Sequence, residues 1–382
     1  MYVEIHLLQS FAPSNLNRDD TGSPKECTFG GVRRARISSQ CLKRAMRTDP
    51  SFAEATGVPI GERTRRVSRA LLKRLVDAGI TEEQATPIVN DFVRLWTDKD
   101  AKAATVSSDG ITAAQFYVSQ GELDDAAAAI RAEFEALVGD KKTADKARAQ
   151  IVRNLAQKYG DRTSAPDVAL FGRMMASRPE LNLDAACQVA HALSTHRIAM
   201  EMDFFTAVDD LVQDAGDETG AGMMGVLGYD SACYYRYARI DWDQLVKNLD
   251  GDLDLAAKAV DGLLRASMRA VPSGKQNSHA ANNPPSLALA VVRESGMAWS
   301  LANAFERPVR AEGEGGYVAP SLTALDTYWG ELCAAYGQEE LRAVAALRCG
   351  AGDVDLPHLA SQTVAGEAAW RQAVLAALQP GR

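Results

Sequence analysis

A hydrophobic period that changes twice along the chain constrains its fold more than any other feature. In residues 2 to 8, Val3, Ile5 and Leu7 alternate with Tyr2, Glu4 and His6, the period-two pattern of a β-strand. From about 61 to 160 the period becomes helical. Val67, Leu71, Leu72, Leu75 and Val76 recur on one face, Thr81 and Gln84 have the spacing of a capping box, and a second run extends from Leu123 to Val138. Period two returns at Val189, His191, Leu193 and Thr195, around Tyr235, Tyr237 and Arg239, and at Leu287, Leu289 and Val291. Strands on both sides of a helical block make the block an insertion into one sheet built from both ends of the chain, an α+β architecture. Helices are predicted near 243 to 269 and 320 to 346. Residues 212 to 228, with glycines at 216, 220, 222, 225 and 228, predict an extended, mobile protrusion rather than regular structure.

The 382 residues predict two or three structural units. Forty-two Lys and Arg against 50 Asp and Glu leave a net charge of -8, which excludes a chain that coats nucleic acid with its whole surface. Any such site is a local patch. The six cysteines (27, 41, 187, 233, 333 and 349) contain no C-x-x-C pair and the five histidines have no ligand spacing, so no structural metal or cofactor is predicted and the thiols read as reduced. The start lacks a basic, apolar leader pattern and no eighteen apolar residues run together, which predicts a cytoplasmic protein.

Residues 31 to 48 break the acidic average with six cations (Arg33, Arg34, Arg36, Lys43, Arg44 and Arg47) and no acid. Ser38 or Ser39 is a natural N-cap. Beyond it, Gln40, Lys43, Arg44 and Arg47 fall within about a third of a helix circumference. Cys41, Leu42, Ala45 and Met46 take the opposite arc. Such a helix buries one face and offers cations and its N-terminal N–H groups to an anion such as a nucleic-acid phosphate, or leaves them solvated. Upstream, Asn17, Arg18, Asp19 and Asp20 with Lys25 form a polar loop or a plain turn.

These residues carry a resemblance. SFAPSNLNRDD followed by FGGVRRARISSQCLKRAMR, and then AHALSTH, DFFTAVDDL, YYRYARI, VPSGKQN and SLANAFERPV in that order, resemble the CasC backbone subunits of type I-E CRISPR Cascade over roughly 1 to 58 and 165 to 330. The resemblance implies an RRM-like (ferredoxin-like) palm from 1–60, 165–199 and 231–382, a helical fingers insertion from 61–164, and a thumb hairpin from 200–230. It implies a non-catalytic subunit that polymerises along a guide CRISPR RNA and presents it to target DNA in antiviral defence. The implied partners are that RNA, target DNA, further copies of the chain head-to-tail, and CasA, CasB, CasD and CasE type subunits.

By motif matching, Arg18, Lys25, Ser38, Gln40, Lys43, Arg44 and Arg47 would hold the RNA backbone, joined by Met174, Phe204, Phe205 and Lys275. Without the match, Phe204, Phe205 and Met174 read equally as core. Where the family leads one to expect an aromatic residue, this chain has His279. Lys141, Lys142, Lys146 and Arg148 match family finger residues by position and charge only, as guides for target DNA or as a solvated face. An alternative class is a metal-dependent ribonuclease: Asp19 with Asp20 and Asp209 with Asp210 are paired carboxylates of the kind that bind Mg²⁺. No third acid or general base completes a set, and Gly274-Lys275 lacks the remainder of a P-loop.

Overall fold

A computed structural model describes residues 1–100, 105–207, 223–311, 313, 315–350, 352 and 354–379. Eleven strands appear among them: β1 (Tyr2–Ser14), β2 (Glu26–Phe29), β3 (Val32–Ile37), β4 (Glu62–Thr64), β5 (Phe116–Val118), β6 (Cys187–Val189), β7 (Ala192–Ser194), β8 (Glu201–Ala207), β9 (Met223–Asp241), β10 (Leu287–Arg293) and β11 (Leu341–Arg348). Nine form one sheet in the order β11-β10-β1-β9-β7-β3-β2, with β6 and β8 also paired to β9, while β4 and β5 pair separately. The helices are α1 (Ser39–Thr48), α2 (Pro50–Thr56), α3 (Val67–Asp77), α4 (Glu82–Thr97), α5 (Gln120–Ala132), α6 (Phe134–Val138), α7 (Lys141–Tyr159), α8 (Pro166–Phe171), α9 (Trp242–Asn248), α10 (Leu253–Arg269), α11 (Gln276–His279), α12 (Val318–Tyr336) and α13 (Glu367–Leu378). The chain divides into a sheet unit, Met1–Asp49, Val189–Arg239 and Leu264–Arg382, and a helical unit, Pro50–Gln188 and Ile240–Leu263.

The sheet unit is α+β, as its alternating segments predict. Strand β10 is buried at every residue, and Leu287, Leu289 and Val291 pack with Leu322, Leu325 and Trp329 of α12. Strand β1 pairs antiparallel with β10 from Tyr2↔Arg293 to Leu8↔Leu287. Its apolar residues Val3, Ile5, Leu7, Leu8 and Phe11 are buried, and so are the polar Glu4, His6 and Gln9. Glu4 accepts hydrogen bonds from Trp299 N at 2.6 Å and Tyr237 Oη at 3.1 Å, and pairs with the buried Arg293 at 3.3 Å. An unpaired carboxylate in this setting would cost several kcal/mol; burial raises the Glu4 pKa even against its cation and donors.

Three segments depart from their sequence pattern. Residues 341–348 are not the end of a helix: Gly337, in the left-handed region at φ 79°, ends α12, and LRAVAALR then pairs with β10 as the edge strand β11. Its alanines favour helix alone, but an open sheet edge overrides that weak preference. Residues 223–228, expected to be irregular, are β-strand, paired in register with β8 from Met202↔Gly228 to Ala207↔Met223. The rest of that protrusion, with Gly216, Gly220 and Gly222, lies outside the described residues. The capping box also falls elsewhere. Thr81 makes no cap hydrogen bond, whereas Ser119 and Glu122 form a reciprocal pair at the start of α5.

Arg34 is the other surprise of the sheet unit. Fully buried, it donates to the carbonyls of Phe29 (3.1 Å), Ser194 (3.0 Å), Phe305 (2.7 Å) and Glu306 (3.1 Å). Gly30, at φ 58°, lets the chain close here: a Cβ would lie 1.7 Å from Glu306 O. Replacing Arg34 by Met would orphan these carbonyls, so Arg34→Met is expected to cost roughly 3 kcal/mol. Urea unfolding would show it as a lower midpoint with an unchanged slope, and a loss under about 1 kcal/mol would count against the lock.

Beneath β1, Tyr235 Oη accepts from Leu301 N at 2.8 Å and lies within hydrogen-bond distance, 2.8 Å, of the buried His6 Nδ1. Burial, aided by Arg293, lowers the His6 pKa from 6.5 to about 3. A folded-state value below the unfolded one means a stability contribution complete above about pH 6.5 and lost as pH falls toward 3. Asp230, raised to about 6 by burial, contributes in the opposite sense. The direct check is an NMR titration, in which His6 stays neutral at pH 5; an imidazolium there would refute the arrangement.

Candidate nucleic-acid interface

The all-basic run splits by geometry. Its strand half is inward or occupied: Arg34 is core, Arg33 pairs with Glu26, and Arg36 donates to Glu26 O at 3.3 Å and lies 3.1 Å from His191 Nδ1. The helical half forms α1. Ser38 is its N-cap, with Oγ accepting from Cys41 N at 3.3 Å. Leu42 and Met46 are buried, lining a small cavity with Ile5, Leu7 and Tyr237 of the sheet. Gln40 and Arg44 are exposed on the other side, and Lys43 and Arg47 are half-buried. The first-turn N–H groups of Ser39 and Gln40 have no acceptor within the helix and point with the positive end of its dipole.

Asn17, placed by the sequence in the polar loop, and Asn15, which sequence reasoning did not single out, hold this helix to the neighbouring loop. Asn17 Oδ1 accepts from Ser38 N at 2.8 Å, and Asn17 O accepts from Lys25 N at 2.8 Å. Asn15, fully buried, donates through Nδ2 to Gly22 O and Gly228 O, both at 2.9 Å. One segment thus joins the Arg18–Lys25 loop, the start of α1 and the base of the β8–β9 hairpin. A third segment closes on it. A Cβ on Gly274 would sit 2.3 Å from Leu16 O, so only glycine lets the 272–280 loop approach. Lys275 follows at φ 51°, a strained backbone for a side-chain-bearing residue and a feature that clusters at functional sites. The polar SNLN stretch was the available signal: short amide side chains bridge to nearby backbone.

The hairpin exposes its apolar residues. Phe204 is 63% exposed opposite Val226, with Met202 and Met224 on the same side. Phe205 takes the other side, where its ring lies over Gly225; a Cβ there would come within 2.5 Å of it. Neither phenylalanine is core. Nor is Met174, 88% exposed in the helical unit. Beside it Arg173 is buried, paired with Glu122 at 2.5 Å and donating to Leu181 O and Tyr159 O, an anchor that leaves the next side chain outward.

On α7, Lys141, Lys142 and Lys146 are exposed, whereas Arg148 is held by Asp145 at 2.7 Å and Asp91 at 3.5 Å. Asp19 serves its own loop, accepting from Thr21 Oγ1, Thr21 N and Ser23 N, and the Thr21 hydroxyl leads the bonds that hold its pKa below the usual carboxylate value. Asp209 and Asp210 lie outside the described residues. Among the described residues no group of three or more His, Cys, Asp or Glu side chains is placed to hold a metal ion, and no helix is long and apolar enough to cross a membrane.

The sequence model of the CT1975-like protein family matches residues 3–370. A solved chain titled "CRISPR RNA-guided surveillance complex, pre-nicking" is 30% identical, with 99% of this chain and 100% of that one aligned at a TM-score of 0.83. A second, "CRISPR RNA-guided surveillance complex", is 26% identical over the same shares at 0.74. Comparison with curated proteins returns no match.

The Asn17 bridge carries its own expectation. Asn17→Ala should lower the unfolding free energy by about 1 kcal/mol, the worth of one hydrogen bond. Exchange of the Ser38 amide should quicken while Asn17→Asp, which keeps the acceptor, stays protected. Equal Ser38 exchange in the alanine variant and the unsubstituted chain would remove the bridge from the account.

Proposed function

The chain belongs to the CT1975-like protein family, and from that premise we propose that it is the RNA-binding backbone subunit of a Cascade-type CRISPR surveillance complex. The observation that carries the reading is the convergence on one unit of the α1 cationic face, the Arg18–Lys25 loop and the Lys275 loop around Asn15–Asn17. Arg44, Gln40, Lys43, Arg47, Arg18, Lys25 and Lys275 follow the sugar-phosphate backbone, and Ser38 shapes the helix start. Forks and point charges of this kind track phosphates without reading bases. A subunit that holds arbitrary guides requires that.

The sheet unit acts as an RRM-like palm. This reading is supported by the strand order β10-β1-β9-β7, with α1 falling between β1 and β7 in the chain. The helical unit serves as fingers, with Lys141, Lys142 and Lys146 facing target DNA. The β8–β9 hairpin serves as thumb, and Phe204 and Met174 as apolar side chains that stack beside nucleotides, each contact worth about 1 to 3 kcal/mol. The role is scaffolding, without catalysis. The partners are guide RNA, target DNA, further copies of the chain and other Cascade subunits in the cytoplasm.

Lys43→Ala with Arg47→Ala tests the palm face. At about 0.7 per lost phosphate contact on a single strand, the double variant should bind RNA more weakly, with a log–log salt slope smaller by about 1.4. Its melting temperature should barely move, and a length-matched set of RNAs should bind within a few-fold of one another. Unchanged affinity and slope in the folded variant would sink the assignment, as would a hundredfold preference for one sequence.

A further inference from the structure

The face of the β8–β9 hairpin that carries Phe204 is built around two thioethers. Register places Met202, Phe204 and Thr206 of β8 opposite Gly228, Val226 and Met224 of β9, so Met202 and Met224 flank the Phe204–Val226 pair on one face. Met202 is 64% exposed and Met224 67%, whereas Met46 and Met175 are buried. Gly228 makes room at the base: a Cβ there would lie 3.5 Å from Met202 Sδ and 3.2 Å from the sulfur of half-buried Met200.

The strand itself does not call for this residue. An exposed strand position favours Val, Ile, Thr or an aromatic ring, and methionine adds flexibility without strand preference. What it brings that leucine or valine does not is a sulfur that accepts oxygen reversibly. The thiols of the chain are poorer targets. Cys187 and Cys233 are buried, and burial raises the pKa values of the half-buried Cys27, Cys41 and Cys333, which keeps them protonated and slow to react; Cys349 is exposed.

We propose that Met202 and Met224 form an oxidation site, at which a peroxide converts both thioethers to sulfoxides and so cancels the apolar contact of the hairpin face until the sulfoxides are reduced. The proposal deepens the reading of the hairpin as a nucleotide contact and rests on it. In the step, a sulfur lone pair attacks one peroxide oxygen. An S–O bond forms as the O–O bond breaks, sulfur gives up two electrons, and the displaced hydroxide takes the proton of the new S–OH group and leaves as water. The product is a polar acceptor within an apolar face. Covering it with the face of a base removes it from water and offers no donor in return. Oxidation therefore acts on the free chain and opposes assembly, while a chain already seated on RNA has the same sulfurs covered.

The test treats the intact, RNA-free chain with hydrogen peroxide, locates added oxygen by peptide mass spectrometry, and measures single-stranded RNA binding by fluorescence anisotropy. Oxygen should appear on Met202 and Met224 before Met46 or Met175, and affinity should fall by about tenfold or more. Affinity should return with methionine sulfoxide reductases for both sulfoxide epimers and a thiol reductant. It should stay low with the reductant alone, which would restore an oxidised thiol such as Cys349. RNA added before peroxide should slow both oxidations. In Met202→Leu with Met224→Leu, peroxide should leave affinity at that variant's own untreated value. Unchanged affinity in a chain carrying both sulfoxides would overturn the proposal, as would an equal peroxide loss in the leucine variant. Phe204→Ala in the unoxidised chain separates this from the hairpin reading. Weaker binding there with no effect of the sulfoxides refutes the oxidation site alone, and no effect of either refutes both. A loss on oxidation only upholds the site and takes Phe204 out of the contact.

Discussion

A guanidinium answered only by carbonyl oxygens sits where the sheet unit is joined. Arg34 lies in β3, donates to carbonyls at the end of β2, in β7 and in the 305–306 turn, and among the described residues has no carboxylate partner at its fork. Desolvation lowers its pKa, yet an arginine stays charged at any physiological pH, so all of its donors must be met inside the protein. The geometry that meets them is narrow. It fixes β3 against β7 and, through Gly30, fixes the turn at Glu306. Helix α1 begins two residues after β3 ends, so its orientation follows from where β3 is held.

The interface depends on that placement and on the smaller bridges of Asn15 and Asn17. Three loops from distant parts of the sequence approach one another closely enough that Gly274 has no room for a side chain. Backbone contacts of this kind fix the three segments against one another. In the proposed role the exposed apolar side chains of the hairpin would add contact that needs no base identity.

An acidic chain handles its cations in two ways. Some are neutralised internally, such as Arg173 by Glu122 and Arg293 by Glu4, both deeply buried pairs that constrain geometry more than they stabilise. Others, such as Arg44 on α1 and Arg69 on α3, are exposed. A net charge of -8 disfavours diffuse association with a polyanion.

Local patterns determined much of this by themselves. The β1 and β10 alternations, the helical block beginning at Val67, and the amphipathic division of α1 into Leu42 and Met46 against Gln40 and Arg44 all follow from residue periods, which act over a few neighbours. The order of the quoted motifs was enough to point to the family that the comparisons bear out. What the sequence left undecided depends on partners far along the chain. Whether Arg34 is a surface cation or a core fork is set by Ser194 and Phe305, more than 150 residues away. That 341–348 is a strand is set by the free edge of β10, against the alanines' own preference. Tertiary structure decided these because a buried charge or an unpaired sheet edge takes its lowest energy from what meets it in space, and spacing along the chain carries no record of that meeting.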